Sequence, residues 1–259
     1  MIYQDKIAVV TGSTSGLGEA VAKKLAAEGA GGIIVTGRNP ERGERVSAEL
    51  TEMGCKNVFV QADLALADSP QKIFAAVDQH FGGHIHGLVN SAAYTDRGSI
   101  EATPLEEFNK HMHVNVRAPF FLIQEAVKRM QQHKIAGSIV NIGSVSAHVG
   151  QEFLTAYSTS KGALTTLTKN VAHSQKHHRI RCNGILPGWM DTPAEHDIQK
   201  RFHDPSPDWL EKAEATRPFG QLIKPWELAE LVAFLLSEKA GIMNGAVMNY
   251  DQLVIGTYD

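Results

Sequence analysis

The chain has 259 residues, a formal charge of −3, and 43% hydrophobic against 20% charged residues, an ordinary globular mixture far from disordered or fibrous compositions. That balance offers no general attraction for phosphate backbones or anionic lipid, so nucleic acid and membranes are not expected partners, and no apolar run reaches the ~20 residues needed to cross a bilayer. The N-terminal residues carry no export signal and the two cysteines, Cys55 and Cys182, read as free thiols of a reducing compartment, so a cytoplasmic protein is expected.

Taken in chain order, apolar runs of strand length fall at 7–10, 33–36, 58–61, 88–90, 138–142, 180–186 and 246–249. Between them lie segments of helical length and composition at 19–28, 42–53, 70–80, 105–132, 157–176 and 226–237. Strand and helix alternate, and Ile33, Ile34 and Val35 form a continuous run of the kind buried on both sides. The pattern predicts an α/β fold: one doubly wound, parallel, seven-stranded sheet with helices on both faces. The whole chain, 1–259, is expected to form one domain, with the polar, proline-containing stretch 191–218 inserted into it.

The first strand runs directly into Thr11, Gly12, Ser13, Thr14, Ser15, Gly16, Leu17 and Gly18, and a helix follows. Glycines there let the backbone turn tightly and approach a pyrophosphate, while the helix N-terminus presents free N–H groups to the anion. A Gly-Lys-Ser/Thr ending is missing, which argues against a mononucleotide P-loop.

Further along, Ser144 ends the run Val140, Asn141, Ile142, Gly143, which delivers it to the carboxyl edge of the sheet, where ligands of open α/β folds bind. Tyr157 and Lys161 stand four residues apart in a helical segment, so their side chains leave the same face about one turn apart. A free phenol, with pKa near ~10, is a poor base, and a neighbouring ammonium is expected to favour the phenolate.

The spacing Thr-Gly-x-x-x-Gly-x-Gly, with Ser144 thirteen residues before Tyr157-x-x-x-Lys161, resembles the short-chain dehydrogenases/reductases of the short type, along essentially the whole chain. The resemblance implies a Rossmann fold and a cofactor site made by Gly12, Ser13, Thr14, Ser15, Gly16, Leu17 and Gly18. To these it adds Arg38, Asp63, Leu64, Asn90, Ala92, Pro187, Gly188 and Thr192, with Tyr157 and Lys161. Arg38 stands where an acidic residue would bind a ribose hydroxyl, and its guanidinium suits a 2′-phosphate, so NADP is the expected cofactor, with NAD as the alternative. Asn90, Ser91, Ala92 and Ala93 replace the usual Asn-Asn-Ala-Gly, Met190 replaces a β-branched residue, and Tyr250, Asp251 and Gln252 replace Asp-Gly-Gly.

By the same resemblance Asn115, Ser144, Tyr157 and Lys161 form the catalytic set. Ser144 would hydrogen-bond the substrate oxygen, Tyr157 would exchange its proton, and Lys161, with a water held by the Asn115 carbonyl, would link that proton to solvent. The stretch 191–218 would form a substrate lid, and its Glu195, His196, Asp197, His203, Asp204 and Trp209 point to a sugar or polyol. Tyr94, Ser146, His148 and Trp189 are expected at the pocket edge, and a homotetramer is expected from paired helices at 105–132 and 157–176.

Two other readings stay open: a 3-oxoacyl thioester reductase, and a sensor that binds NAD(P) without chemistry. No metal site is expected from the twelve histidines, because pairs such as His111 and His113 diverge by about 200° on a helix and lack a completing ligand set.

Overall fold

The computed structural model describes residues 1–256. Seven strands, β1 (Ile7–Val10), β2 (Gly32–Gly37), β3 (Asn57–Gln61), β4 (Gly87–Asn90), β5 (Ser138–Ile142), β6 (Arg181–Pro187) and β7 (Val247–Tyr250), form one sheet in the order β3-β2-β1-β4-β5-β6-β7. Every pairing is parallel, with Val10 opposite both Val35 and Val89. The doubly wound architecture expected from the sequence is the one observed, with each strand end within about two residues of its expected place.

Alternate residues of one strand feed opposite cores. Ala8, Val10, Ile33 and Val35 pack with α1 (Gly16–Ala27), α2 (Pro40–Glu52) and α9 (Pro225–Leu236). Val9, Ile34, Leu88 and Ile139 pack on the other face with α3 (Ser69–Phe81), α5 (Ala118–Gln132) and α6 (Thr155–Gln175). Burial on both sides is why these strands lack polar alternation.

Two helical features depart from the sequence expectation. The segment 105–132 is not one helix: α4 (Leu105–Met112) passes into a π-helical turn, His113–Arg117, before α5. The inserted residue leaves the apolar period nearly intact, so periodicity does not reveal it. The stretch 191–218 contains two short helices, α7 (Pro193–Phe202), started by Thr192, whose side chain accepts from Glu195 N, with Pro193 behind it, and α8 (Trp209–Ala215), preceded by Asp208, whose side chain makes no cap bond. Both ends of this excursion are tied together, since Met190 and Ile223 form a parallel bridge, with Asp191 N donating to Ile223 O at 2.9 Å and Ile223 N to Trp189 O at 3.0 Å.

The chain reverses direction across the sheet between β1 and β4, so the loops after these two strands part at the carboxyl edge and leave a crevice there. The candidate site is built at that edge.

Candidate active site

The turn after β1 sits in this crevice. Gly12 has φ of +65°, and a Cβ on it would stand 2.8 Å from Ala92 Cα, so the turn and the loop after β4 meet backbone to backbone. A Cβ on Gly18 would collide with the Gly12 carbonyl, so the first turn of α1 lies directly on the turn that precedes it. Thr11 Oγ1 accepts from Ser91 N at 3.0 Å and Ala92 N at 3.1 Å and fixes the second loop. Ser15 precedes α1 with its hydroxyl making no cap bond, and Gly16 packs against Thr192, which brings the glycine turn and the start of α7 to one place.

The other expected cofactor contacts differ in their surroundings. Arg38 is exposed at the end of β2 and its guanidinium has no partner among the described residues; Asp63 follows β3, its carboxylate accepting from Ala65 N at 2.9 Å. Pro187 ends β6 and Gly188 follows it, Gly188 N donating to Tyr250 O at 3.0 Å beside the Asp251 carboxylate. Ser13, Thr14, Leu17, Leu64 and Asn90 are buried. The Ser13 hydroxyl is consumed in the fold, donating to Val10 O at 2.7 Å and accepting from Thr36 N at 2.9 Å. Asn90 donates to Asn141 Oδ1 at 2.8 Å, while its own Oδ1 is buried without a partner. A tight glycine turn leading into a helix N-terminus with no side-chain cap, and a guanidinium with no partner among the described residues at the same sheet edge, fit a dinucleotide.

On the other side of the crevice β5 ends in Gly143 and Ser144, and α6 begins at Thr155. Ser144 Oγ accepts from Ser146 Oγ at 2.9 Å and from Ser146 N at 3.2 Å, which leaves its own hydrogen free to point at a neighbour. Tyr157, in the first turn of α6, has the Ser144 hydroxyl alongside its phenol. Lys161 follows one turn later, buried, with Nζ donating to Ile142 O at 2.8 Å and standing 5.6 Å from the Tyr157 ring centre.

The electrostatics differ from the sequence expectation. Burial pushes the Tyr157 phenol up to about 12, with Ser144 and Arg97 pulling it back and Glu195 pushing it further. Burial also lowers Lys161 to about 8. The ammonium turns toward a carbonyl and does not draw the phenol down; each buried group instead favours its neutral form.

Asn115 lies in the π-helical turn, which packs on α6. Its side chain closes a clasp, accepting from Tyr94 N at 2.8 Å and donating to Tyr94 O at 2.9 Å and Ser160 Oγ at 3.0 Å. It thereby joins the loop after β4 to the helix that carries Tyr157 and Lys161.

Above the phenol the loop after β4 meets α7. Asp96 is held below the usual carboxylate range, burial notwithstanding, by Arg201, whose Nη2 lies 2.6 Å away, and by the Tyr94 hydroxyl. The expected edge residues Tyr94, Ser146 and Trp189 lie at this mouth, whereas His148 is exposed. Arg97, also at the mouth, carries no motif and escaped the sequence reading. A cavity of about 700 Å³ at the opposite edge of the sheet, lined by Lys6, His86, Arg179 and Ile242, contains none of these groups.

A family model described as "Enoyl-(Acyl carrier protein) reductase" matches residues 12–252. The chain is 32% identical to an L-rhamnose 1-dehydrogenase (NAD(P)(+)) of Azotobacter vinelandii over 97% of both chains, and 31% identical to an NADP-dependent (R)-specific alcohol dehydrogenase of Lentilactobacillus kefiri over 93% of both. A solved short-chain type dehydrogenase/reductase from Mycobacterium marinum superposes with a TM-score of 0.86 at 28% identity, covering 96% of this chain and 95% of the other. The names of relatives at comparable identity range over alcohol, steroid and sugar dehydrogenases, so likeness alone does not select a substrate.

Proposed function

The chain belongs to the short-chain dehydrogenase/reductase family, and on that premise we propose that it interconverts a secondary alcohol and a carbonyl with Tyr157 as the acid/base. It is an NAD(P)-dependent oxidoreductase. The observation that carries the assignment is the phenol of Tyr157 beside the Ser144 hydroxyl, with Lys161 one turn behind, on the rim of the glycine-lined crevice.

In this reading Ser144, its lone pairs occupied by Ser146, donates to the substrate oxygen. Tyr157 gives or takes the hydroxyl proton, and Lys161 and Asn115 lead it toward solvent. The turn of Gly12, Ser13, Thr14, Ser15, Gly16, Leu17 and Gly18 would hold the pyrophosphate; Asp63 and Leu64 would take the adenine side, the backbone of Asn90 and Ala92 would pass close to the cofactor, Pro187 and Gly188 would take the nicotinamide side, and Thr192 would contact the carboxamide or the pyrophosphate. Bound nicotinamide supplies or accepts the hydride. Lys161 serves the ribose hydroxyls as well.

The unpaired Arg38 favours NADP over NAD, because a 2′-phosphate gives that guanidinium a bidentate partner. The stretch 191–218, carrying α7 and α8, acts as the lid over a sugar or polyol, whose hydroxyls suit the charged mouth better than an acyl chain does. Exposed Leu105, Phe108, Phe120 and Phe121 on α4 and α5 suit the helix pairing of a homotetramer.

A panel of L-rhamnose, D-glucose, sorbitol, 2-butanol, a steroid alcohol and a 3-oxoacyl thioester, assayed with both cofactors, tests the reading. Turnover of a hydroxylated member with a higher kcat/KM for NADP is expected. Tyr157→Phe is expected to lower kcat by at least ~10³-fold, with cofactor binding, read by fluorescence titration, retained. Full activity in that variant contradicts the assignment, and preferred turnover of the thioester favours the acyl reading.

A further inference from the structure

Arg97 and Glu195 face each other across the mouth of the crevice and take no part in the proton chemistry. Arg97 is fixed on three sides: Nη1 donates to Thr95 O at 2.9 Å, Nε to His203 Nε2 at 3.2 Å, and the guanidinium carbon lies 5.7 Å from the Phe153 ring centre. The bridge between Gly98 and Leu154, with Gly98 N donating to Phe153 O at 2.9 Å, lays this loop along the segment that enters α6, so the guanidinium stands at the entrance to Tyr157. Both charges act on the Tyr157 phenol, with opposite sign.

Glu195 comes from α7. Its Oε1 accepts from Trp189 Nε1 at 2.8 Å and Gln199 Nε2 at 2.7 Å, and Arg97 Nη2 reaches it only at 3.5 Å. Its Oε2 has no partner among the described residues. A guanidinium has five N–H donors, so Arg97 keeps donors unspent beyond those it shares with Thr95 and His203. The two side chains are only 14% and 15% exposed, so both charges are largely withdrawn from water while still under-partnered.

A group that both donates and accepts would complete this pair. A hydroxyl does so; a substrate carboxylate would satisfy Arg97 but lie against Glu195, and an alkyl chain would desolvate the pair further without giving either the spare guanidinium donors or Glu195 Oε2 a partner. We propose that Arg97 and Glu195 form a specificity clamp for a neutral polyhydroxylated substrate, Arg97 donating to one hydroxyl and Glu195 Oε2 accepting from its neighbour, while the reacting oxygen lies between Ser144 and Tyr157. The clamp rests on the reading of Ser144 and Tyr157 given above and names the feature of the substrate that the site reads.

The test measures kcat/KM of wild type, Arg97→Met, Arg97→Lys and Glu195→Gln with the best aldose or alditol of the panel, with 2-butanol and with lactate. Thermal melting and cofactor titration monitor folding. The clamp is expected to make Arg97→Met and Glu195→Gln lose about 10- to 100-fold on the hydroxylated substrate. Their preference for it over 2-butanol should fall at least about tenfold, with Arg97→Lys intermediate. Equal losses on both substrates in folded variants overturn the clamp, as does a preference of the wild type for lactate. Turnover of 2-butanol with none of any hydroxylated member also overturns it while leaving the Tyr157 assignment standing. Unimpaired turnover by Tyr157→Phe overturns the underlying reading instead.

Discussion

Lys161 and Tyr157 are each displaced by burial in the direction that removes charge, and their pH behaviour follows from that. With its phenol near 12, Tyr157 stays protonated through neutral pH and is ready to give a proton to a carbonyl oxygen. On the proposed assignment of Tyr157 as the acid/base, alcohol oxidation requires its phenolate, so the oxidation rate is expected to climb with pH without levelling below about 10, while carbonyl reduction stays flat over the same span. Lys161 affects stability as well: its folded value near 8 lies below the ~10.4 of an unfolded lysine, so between these values the unfolded chain holds a proton that the folded chain has released. Stability therefore rises with pH across that window, by about 3 kcal/mol, and denaturation curves of Lys161→Met should lack that increment. The sequence revealed this pair through helical spacing, and Ser144 through its place at a strand end. It offered Glu195 only as one of several polar residues of the 191–218 stretch and did not reveal Arg97 or the pairing of the two, which belong to segments remote in sequence and share no period; only the meeting of α7 with the loop after β4 joins them.

Among the elements, the glycine turn and α1 act as one unit. Gly18→Ala drives a methyl into the Gly12 carbonyl and is expected to pry α1 off β1. Cofactor affinity should fall at least about tenfold in titration, with a lower melting temperature, as overpacking costs about 1 to 3 kcal/mol. A similar affinity in the variant would show the turn relaxes without harm. Glycine spacing announced this turn in the sequence, yet the helix itself starts at Gly16, earlier than the side-chain pattern, because glycines carry no apolar period. The π-helical turn at His113–Arg117 and the helices α7 and α8 were hidden for related reasons: the first alters hydrogen bonding more than pattern, and the others are short and richly charged. Asn115 was found by motif, but its clasp on Tyr94 depends on how the turn rotates it.

For the molecule as a whole, the sheet was legible because doubly buried strands write continuous apolar runs, and its parallel, doubly wound character followed from alternation with helices; the strand order comes from the structure. Assembly depends on surfaces instead. If Phe120 and Phe121 pair between copies, Phe120→Asp should shift the sedimentation coefficient from that of a tetramer toward smaller species without unfolding the subunit. An unchanged coefficient would place the contact elsewhere.

The knot of backbone bonds joining Met190 to Ile223 makes the intervening stretch a cassette whose anchor points are already closed. Doubling the length of such a loop adds only about 0.6 kcal/mol of closure entropy, so its length can change while the residues beneath, held by β5 and α6, keep their alignment. If the stretch is the proposed lid, chimeras cut at Met190 and Ile223 that keep Thr192 and Glu195 are expected to change what is admitted while Ser144, Tyr157 and Lys161 keep their places.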